Sequence, residues 1–353
     1  FRLWRELSFP NIVSGKGKIF LATCLAILIL AFVATFLGAS DILENVRTAS
    51  FRTLAFASLV YCISWPLRGV RFQQILKRLG SEYGLGFLIG SIFISQSANV
   101  VLPARIGDIS RMYILKKSKN LAFTTSFSSL TVERVFDIVA ITFIAILASS
   151  GAASRFELAP WMSSLIKLSG LAVVLFFSII FIASFRKSHA KTTLERESFQ
   201  DGLSGKIKGF ISTFLHQMSV VAVRPGSFLA VTASSLLIWG IDIFTCLLVL
   251  KAFPITGVDV SSMYMISLIF LAVALGNIAK TFPITPGAIG TYEVALTAVF
   301  ALGGIEPKIG FTVAVLDHII KNSITLIGGS FALSGLGLRW KEVLCTDKNI
   351  LKG

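Results

Sequence analysis

Long apolar runs alternate with short charged connections along most of the chain. The runs at residues 19–39, 53–75, 121–149, 160–185, 226–250 and 308–336 each approach or exceed the roughly 18–20 residues that a helix needs to cross a bilayer. None shows the ten-residue alternation of an outer-membrane barrel strand. Two more apolar stretches, 83–102 and 261–282, end in helix breakers. Asn99, Pro103 and Gly107 interrupt the first; Pro283, Pro286, Gly287 and Gly290 interrupt the second. Each break is followed by a helical piece, 104–115 or 291–302, too short to span alone. The pattern predicts an all-α polytopic membrane protein, with about six full spans and two re-entrant helical hairpins.

The charges set the direction of each segment. Arg2, Arg5, Lys16 and Lys18 against Glu6 precede the first span, and the 41–52 loop that follows is neutral, so the amino terminus is expected in the cytoplasm. The second span ends in Arg68, Arg71, Lys77 and Arg78, whose long side chains can snorkel to the interface. If 83–102 crossed fully, Arg105, Arg111, Lys116, Lys117 and Lys119 against one Asp108 would lie outside, the wrong sign for an outer loop. A hairpin entering from the cytoplasm returns them. A second hairpin entering from outside lets 308–336 cross inward and leaves Arg339, Lys341, Lys348 and Lys352 inside. Residues 53–149 and 226–336 are then inverted copies within one transmembrane domain covering 1–353. Inverted repeats with broken helices are the architecture of alternating-access transporters.

Between the repeats, in the linker 185–225, Phe199, Leu203, Ile207, Phe210, Phe214 and Met218 recur at steps of three and four while Lys206, Lys208 and Gln217 take the other face. This predicts an amphipathic helix on the cytoplasmic leaflet.

Composition agrees with a membrane protein. Hydrophobic residues make up 54% and charged ones 14%, with a mean hydropathy of +0.81; soluble domains carry about 25% charged residues. The formal net charge of +15 lies in short loops and forms no basic domain, which argues against nucleic acid. Cys24, Cys62, Cys246 and Cys345 have no paired spacing, and His189, His216 and His318 are scattered, so no disulfide, metal site or cofactor is expected. The sequence begins at Phe1. No cleavable signal peptide is read, because residues 19–37 are long enough to span and lack a small-residue cleavage site.

The polar residues inside apolar runs carry the chemistry. Glu133, Arg134 and Asp137 lie mid-helix, where a lipid-facing charge costs roughly 2.5–3.5 kcal/mol, so they point into the bundle, as a pathway or as a structural salt bridge. Arg105 and Arg111 suit bidentate phosphate recognition, or else Arg105 neutralises Asp108 or Asp137 while Arg111 snorkels. Glu293 opens the returning helix of the second hairpin, where its charge suits the helix dipole. Asp317, His318 and Lys321 offer a proton-coupling site or a buried pair, and Lys280 beside the second break is open to both kinds of role.

Asn99-x3-Pro103-x-Arg105-x-Gly107-Asp108-x2-Arg111, Glu133-Arg134-x2-Asp137 and Pro283-x2-Pro286-Gly287-x2-Gly290-x2-Glu293 together resemble the membrane domain of the lysyl-phosphatidylglycerol synthetase/flippase family. That domain also occurs alone or fused to glycosyltransferases. The resemblance covers about residues 53–336 and implies lipid flipping. Two positions depart from it: Tyr292 stands where many members place an arginine, and Asp317-His318 with Lys321 replaces an arginine or aromatic cluster. The family's substrate therefore does not carry over, and no aminoacyl-transfer domain lies within these residues.

The expected function is a lipid translocator in the cell membrane, with both termini cytoplasmic, moving an anionic or modified phospholipid or a polyprenyl-phosphate-linked glycolipid. Asn99, Arg105, Gly107, Arg111, Glu133, Arg134, Asp137 and Glu293 are the candidate substrate site. Asp108, Lys280, Asp317, His318 and Lys321 are the candidate coupling or pathway residues. Membrane lipids with an anionic phosphate head group are the expected partners. The competing readings are a non-transporting scaffold or regulator of a partner enzyme, favoured by the basic amphipathic stretch, and an intramembrane lipid-modifying enzyme, for which no catalytic constellation is visible.

Overall fold

The computed structural model describes residues 38–339 except 103–104, 153–158, 190–202, 223, 255–258, 261 and 281–284, together with residues 28, 30–32 and 35. Two thirds of the first expected span, 19–39, therefore lies outside the described residues, as do Phe199, Pro103 and Pro283. Among the described residues the structure is helical with no strand. The helices are α1 (Ala39–Thr48), α2 (Phe51–Arg78), α3 (Leu85–Val101), α4 (Ile106–Lys119), α5 (Phe123–Ala152), α6 (Pro160–His189), α7 (Leu203–Ala222), α8 (Pro225–Lys251), α9 (Met263–Ala279), α10 (Thr291–Leu302) and α11 (Pro307–Gly335).

α2, α6, α8 and α11 are long and apolar enough to cross a membrane. α5 has the length, at 30 residues, but carries Glu133, Arg134 and Asp137 in its middle. α3 and α9 are each 17 residues, about 25 Å at 1.5 Å per residue, short of a ~30 Å hydrocarbon core. The segment read from charge as a loop at 41–52 contains α1, which packs against α11.

The helix starts follow local chemistry. Ser50 and Ser262 accept from the amides of Thr53 and Met265, and Pro225 and Pro307 open α8 and α11, where a missing N–H costs nothing. The two short pairs, α3 with α4 and α9 with α10, form the centre. α9 is buried on every side over its second half, residues 271–278, as a helix apolar all round must be. The principal contacts form a regular set: α2 lies on α8, α3 on α11, and α9 on α5. α6 is peripheral and exposes Leu168, Leu171, Val174, Leu175, Ile179 and Phe181. So large an apolar surface belongs against lipid.

The stretch from Leu203 onward forms α7, and between Phe210 and Val221 part of its apolar side is covered by protein, with Ile211 left exposed. Phe210 and Phe214 pack on Phe127 of α5, Met218 and Val221 are buried beside Phe136 and Ile180, and Gln217 donates to Thr125 at 3.0 Å. Periodicity identifies an apolar face without saying whether lipid or protein covers it.

Small residues let the central helices approach. A side chain at Gly329 of α11 would run into Ser97 and the Phe93 carbonyl of α3, and one at Gly328 into the Phe93 ring; Ser97 donates to the Thr325 carbonyl across the same seam at 2.7 Å. Gly329→Val is expected to destabilise the folded chain by about 1–3 kcal/mol through overpacking. Thermal unfolding in detergent measures this, with Gly86→Ala, which meets open space, as the control expected to leave the melting temperature unchanged or higher.

Candidate functional site

The two helix breaks face one another. The chain leaves α3 at Leu102 in an extended conformation and enters α4 at Arg105, whose φ of 54° and ψ of 37° are left-handed. Across from it, Gly287 (φ 60°) and Ala288 (φ 57°) are left-handed too; a non-glycine residue held there stores strain, a feature that clusters at functional sites. Gly287 approaches the Val100 backbone so closely that an added Cβ would sit 3.1 Å from its carbonyl oxygen. Arg105 Nη2 lies 3.4 Å from the Lys280 carbonyl at the end of α9. At Gly107 a side chain would strike the Ser95 carbonyl and Asn99, so glycine permits α4 to fold back on α3.

A cavity of about 420 Å³ lies at this junction. Trp65 and Arg68 of α2, Gln96 and Asn99 of α3, and Arg134 and Asp137 of α5 line one half. Trp239 and Asp242 of α8, Lys280 after α9, and His318, Lys321 and Asn322 of α11 line the other.

Around it stand two networks of buried charge. In the first, Arg71, fully buried, donates to Asp137 Oδ1 and to Ser235 at 2.8 Å and lies 3.2 Å from Glu133. Arg111, also fully buried, pairs with Glu133 at 2.7 Å, its guanidinium over the Phe72 ring. Arg134 pairs with Asp108 at 2.8 Å and approaches Asp137 at 3.6 Å. Asn99 donates to Asp108 at 3.2 Å and Trp239 to Asp137 at 3.0 Å. Three guanidiniums thus meet three carboxylates.

The second network sits between α8, α10 and α11. Lys321 bridges Asp242 at 3.0 Å and Asp317 at 2.9 Å, and Tyr292 donates to Asp317 at 2.7 Å. Glu293 accepts the Gly290 amide at 2.7 Å and meets His318 Nδ1 at 2.6 Å. The Lys280 ammonium lies 3.6 Å from the centre of the Tyr292 ring, a cation–π contact.

The family model described as the lysylphosphatidylglycerol synthase TM region matches residues 19–329. The chain belongs to that family. Glycosyltransferase AglD of Haloferax volcanii is 32% identical over 96% of this chain, and the chain spans 57% of AglD's length. A UPF0104 membrane protein of Pyrococcus horikoshii is 25% identical, covering 90% of this chain and 97% of its own length. One of Methanothermobacter thermautotrophicus is 26% identical, covering 88% and 90%. The helices and these relatives make this member of the family a multi-pass membrane protein in contact with lipid.

Within this family member the residues singled out from sequence fall into two groups. Asn99, Arg105, Asp108, Arg134, Asp137, Lys280, His318 and Lys321 line the cavity. Arg111, Glu133, Glu293 and Asp317 stand behind it, holding its wall, and Gly107 shapes the turn. Arg71, expected to reach the interface, is instead enclosed between Glu133 and Asp137; the two carboxylates of α5 leave no cheaper partner for it. Asp242, Trp65, Trp239 and the cavity-facing Arg68 were not singled out. Asp242 had one visible signal, a lone acid inside an apolar run.

Arg71→Met is expected to destabilise the fold by about 3–5 kcal/mol, because it strands buried carboxylates. Arg105→Ala strands no counter-charge among the described residues, so its melting temperature should match the parent. Thermal unfolding of both in one detergent checks the pair.

Proposed function

We propose that the protein translocates an anionic lipid between leaflets, with the cavity between the two helix breaks holding the head group. One observation carries the reading. Arg68, Arg105 and Lys280 line the cavity, and among the described residues none has an ion-pair partner. The carboxylates near them, Asp108, Asp137 and Asp242, are each paired directly with another cation, so an anionic ligand in the cavity would give Arg68, Arg105 and Lys280 the direct partner they lack. The family and the glycosyltransferase relative support a role in lipid or glycolipid handling.

In this reading α3–α4 and α9–α10 are re-entrant hairpins in an inverted pair of repeats. The correspondences are specific. α3 and α9 have equal length, with Asn99 and Asn277 each two residues before the end. α4 and α10 each carry an acid at the third position, Asp108 and Glu293. Each acid pairs with the following long helix, to Arg134 on α5 and to His318 on α11. Glu133-Arg134-x2-Asp137 then matches Asp317-His318-x2-Lys321, and the buried partner from the first helix of each repeat is Arg71 or Asp242, with the sign reversed in step. The contacts of α3 with α11 and α9 with α5 exchange under the same pairing. Alternation of the two hairpins about the cavity would expose the head group to one leaflet and then the other. The rival reading, a scaffold or regulator that binds a lipid or a partner enzyme, drew on the basic amphipathic stretch 199–218, of which Phe210, Phe214 and Met218 pack within the bundle and Ile211 is exposed.

Reconstitution into liposomes with labelled phosphatidylglycerol or polyprenyl-phosphate sugar in one leaflet tests the proposal. Transfer is expected with the parent chain and should fall at least tenfold in Arg105→Ala and Lys280→Ala at unchanged melting temperature. Absence of transfer for every lipid would favour the scaffold, and a covalently altered lipid would favour an enzyme. Both termini and Lys116 are placed in the cytoplasm of the cell; a cysteine at position 116 should react with impermeant reagent only after permeabilisation, and labelling in intact cells would overturn the hairpin topology.

A further inference from the structure

The two hairpins hold their returning helices by different chemistry. Asp108 of α4 is held by Arg134 at 2.8 Å, and at the corresponding place Glu293 of α10 is held by His318, whose Nδ1 lies at 2.6 Å. A guanidinium keeps its charge at every pH a cell meets, and an imidazole does not. Among the described residues of the two networks, His318 is the one side chain of a type that ordinarily gains or loses its charge between about pH 5 and 8. It also lines the cavity.

The contacts fix where a proton can go. Glu293 stands in the first turn of α10 and its Oε2 accepts the Gly290 amide at 2.7 Å, a place that suits a carboxylate. Nδ1 of His318 therefore donates to Oε1, and the remaining lone pair of the ring is on Nε2, which has no partner among the described residues. Every element packed on α11 was considered for charge near this ring. α10 brings Glu293 and Tyr292, and Lys280 follows α9. Asp317 and Lys321 of α11 pair with one another, and Asp242 of α8 closes on Lys321. Arg68 and Tyr61 of α2 border the same cavity, α3 carries no charged residue, and Glu44 and Arg47 of α1 are exposed. Of these the Lys280 ammonium matters most, because it has no direct partner. It lies 3.6 Å from the centre of the Tyr292 ring, and the His318 ring lies 4.9 Å from the same centre. A proton on Nε2 sets an imidazolium beside that ammonium.

Resting on the translocator reading, we infer that the cavity binds a proton together with its anion, the proton on Nε2 of His318 and the anion on Lys280, so that a singly charged head group crosses as a neutral pair. The proton comes from the aqueous phase and adds to the Nε2 lone pair; no bond of lipid or protein breaks. An anion at Lys280 offsets the charge that opposes the imidazolium, and by reciprocity the proton tightens the anion. A neutral pair also avoids the work of moving a net charge through hydrocarbon and against the membrane potential. Arg134, at the matching place in the first hairpin, keeps its charge throughout, so the coupling belongs to the second.

The probe is dioctanoyl phosphatidylglycerol, whose phosphodiester keeps its negative charge over this range. The full chain in weakly buffered detergent is titrated with it while tryptophan fluorescence reports binding, since Trp65 and Trp239 line the cavity, and an indicator dye reports protons; protein-free detergent gives the background. Binding should take up a proton for each lipid, and the affinity should be about fivefold or more higher at about pH 5.5 than at about pH 8, the low end of ordinary coupling between sites. His318→Gln should remove both effects, whereas His216→Gln, at an exposed position on α7, should retain them. Binding without proton uptake overturns the inference and leaves the translocator standing; no binding at either pH removes both. Uptake that survives His318→Gln assigns the proton to another group, such as Lys280, and overturns the inference too. Should His318→Gln fail to fold, infrared difference spectra of the histidine-labelled parent decide: adding the lipid should convert an imidazole to imidazolium, and an unchanged spectrum overturns the assignment.

Discussion

A charge inside an apolar bundle must meet its opposite, and that requirement organises this molecule. Around α5 the balance is complete: Arg71, Arg111 and Arg134 against Glu133, Asp137 and Asp108. These pairs cross from α2 to α5 and from α4 to α5, and Trp239 and Ser235 bring in α8. Apolar residues of similar volume would often be as stable in such places or more so. What ion pairs add is direction, since each guanidinium accepts only the arrangement that reaches its carboxylate. The helices thus have a fixed rotation about their axes, which the smooth apolar faces of α9 or α6 do not impose. Where direct pairing is left open, at Arg68, Arg105 and Lys280, there is a cavity.

The same constraint acts on the backbone. A helix that stops inside the bundle leaves amides and carbonyls unpaired, and lipid offers them nothing. Here the breaks answer one another where the Lys280 carbonyl turns to Arg105 and Gly287 lies against Val100, and within the second break Glu293 accepts the Gly290 amide. Left-handed residues on both sides, Arg105 and Ala288, are what such abrupt reversals demand. The cavity lies where two helices end against one another, and polar side chains of α2, α5, α8 and α11 complete its lining.

Much of this was legible in the sequence, and the limits have physical causes. Breakers after an apolar run located both interruptions, and a charge inside a span located Glu133, Arg134 and Asp137. Spacing within one helix also paired Asp317 with Lys321, four residues apart. Pairings between helices were illegible: Arg71 precedes Lys77 and Arg78 at the same end of α2 and has the same local pattern as they do, yet its charged partners are on α5. Asp242 faced the same obstacle, since its partner is 79 residues away. α7 shows a related limit, because an amphipathic period reports a face and not what covers it.

Tyr292 shows how a departure from the family pattern can preserve the physics of a site. It occupies the position before Glu293 where the resemblance leads one to expect an arginine. A guanidinium there would stand beside Lys280 and repel it. The tyrosine ring instead lies 3.6 Å from the Lys280 ammonium and its hydroxyl holds Asp317 at 2.7 Å. Aromatic attraction supports a cation without neutralising it, so Lys280 is positioned while its charge stays available to the cavity. With tyrosine at this position, the cation of the second break stands at the end of α9. There it faces Arg105 across the gap, and the two breaks contribute one positive charge each.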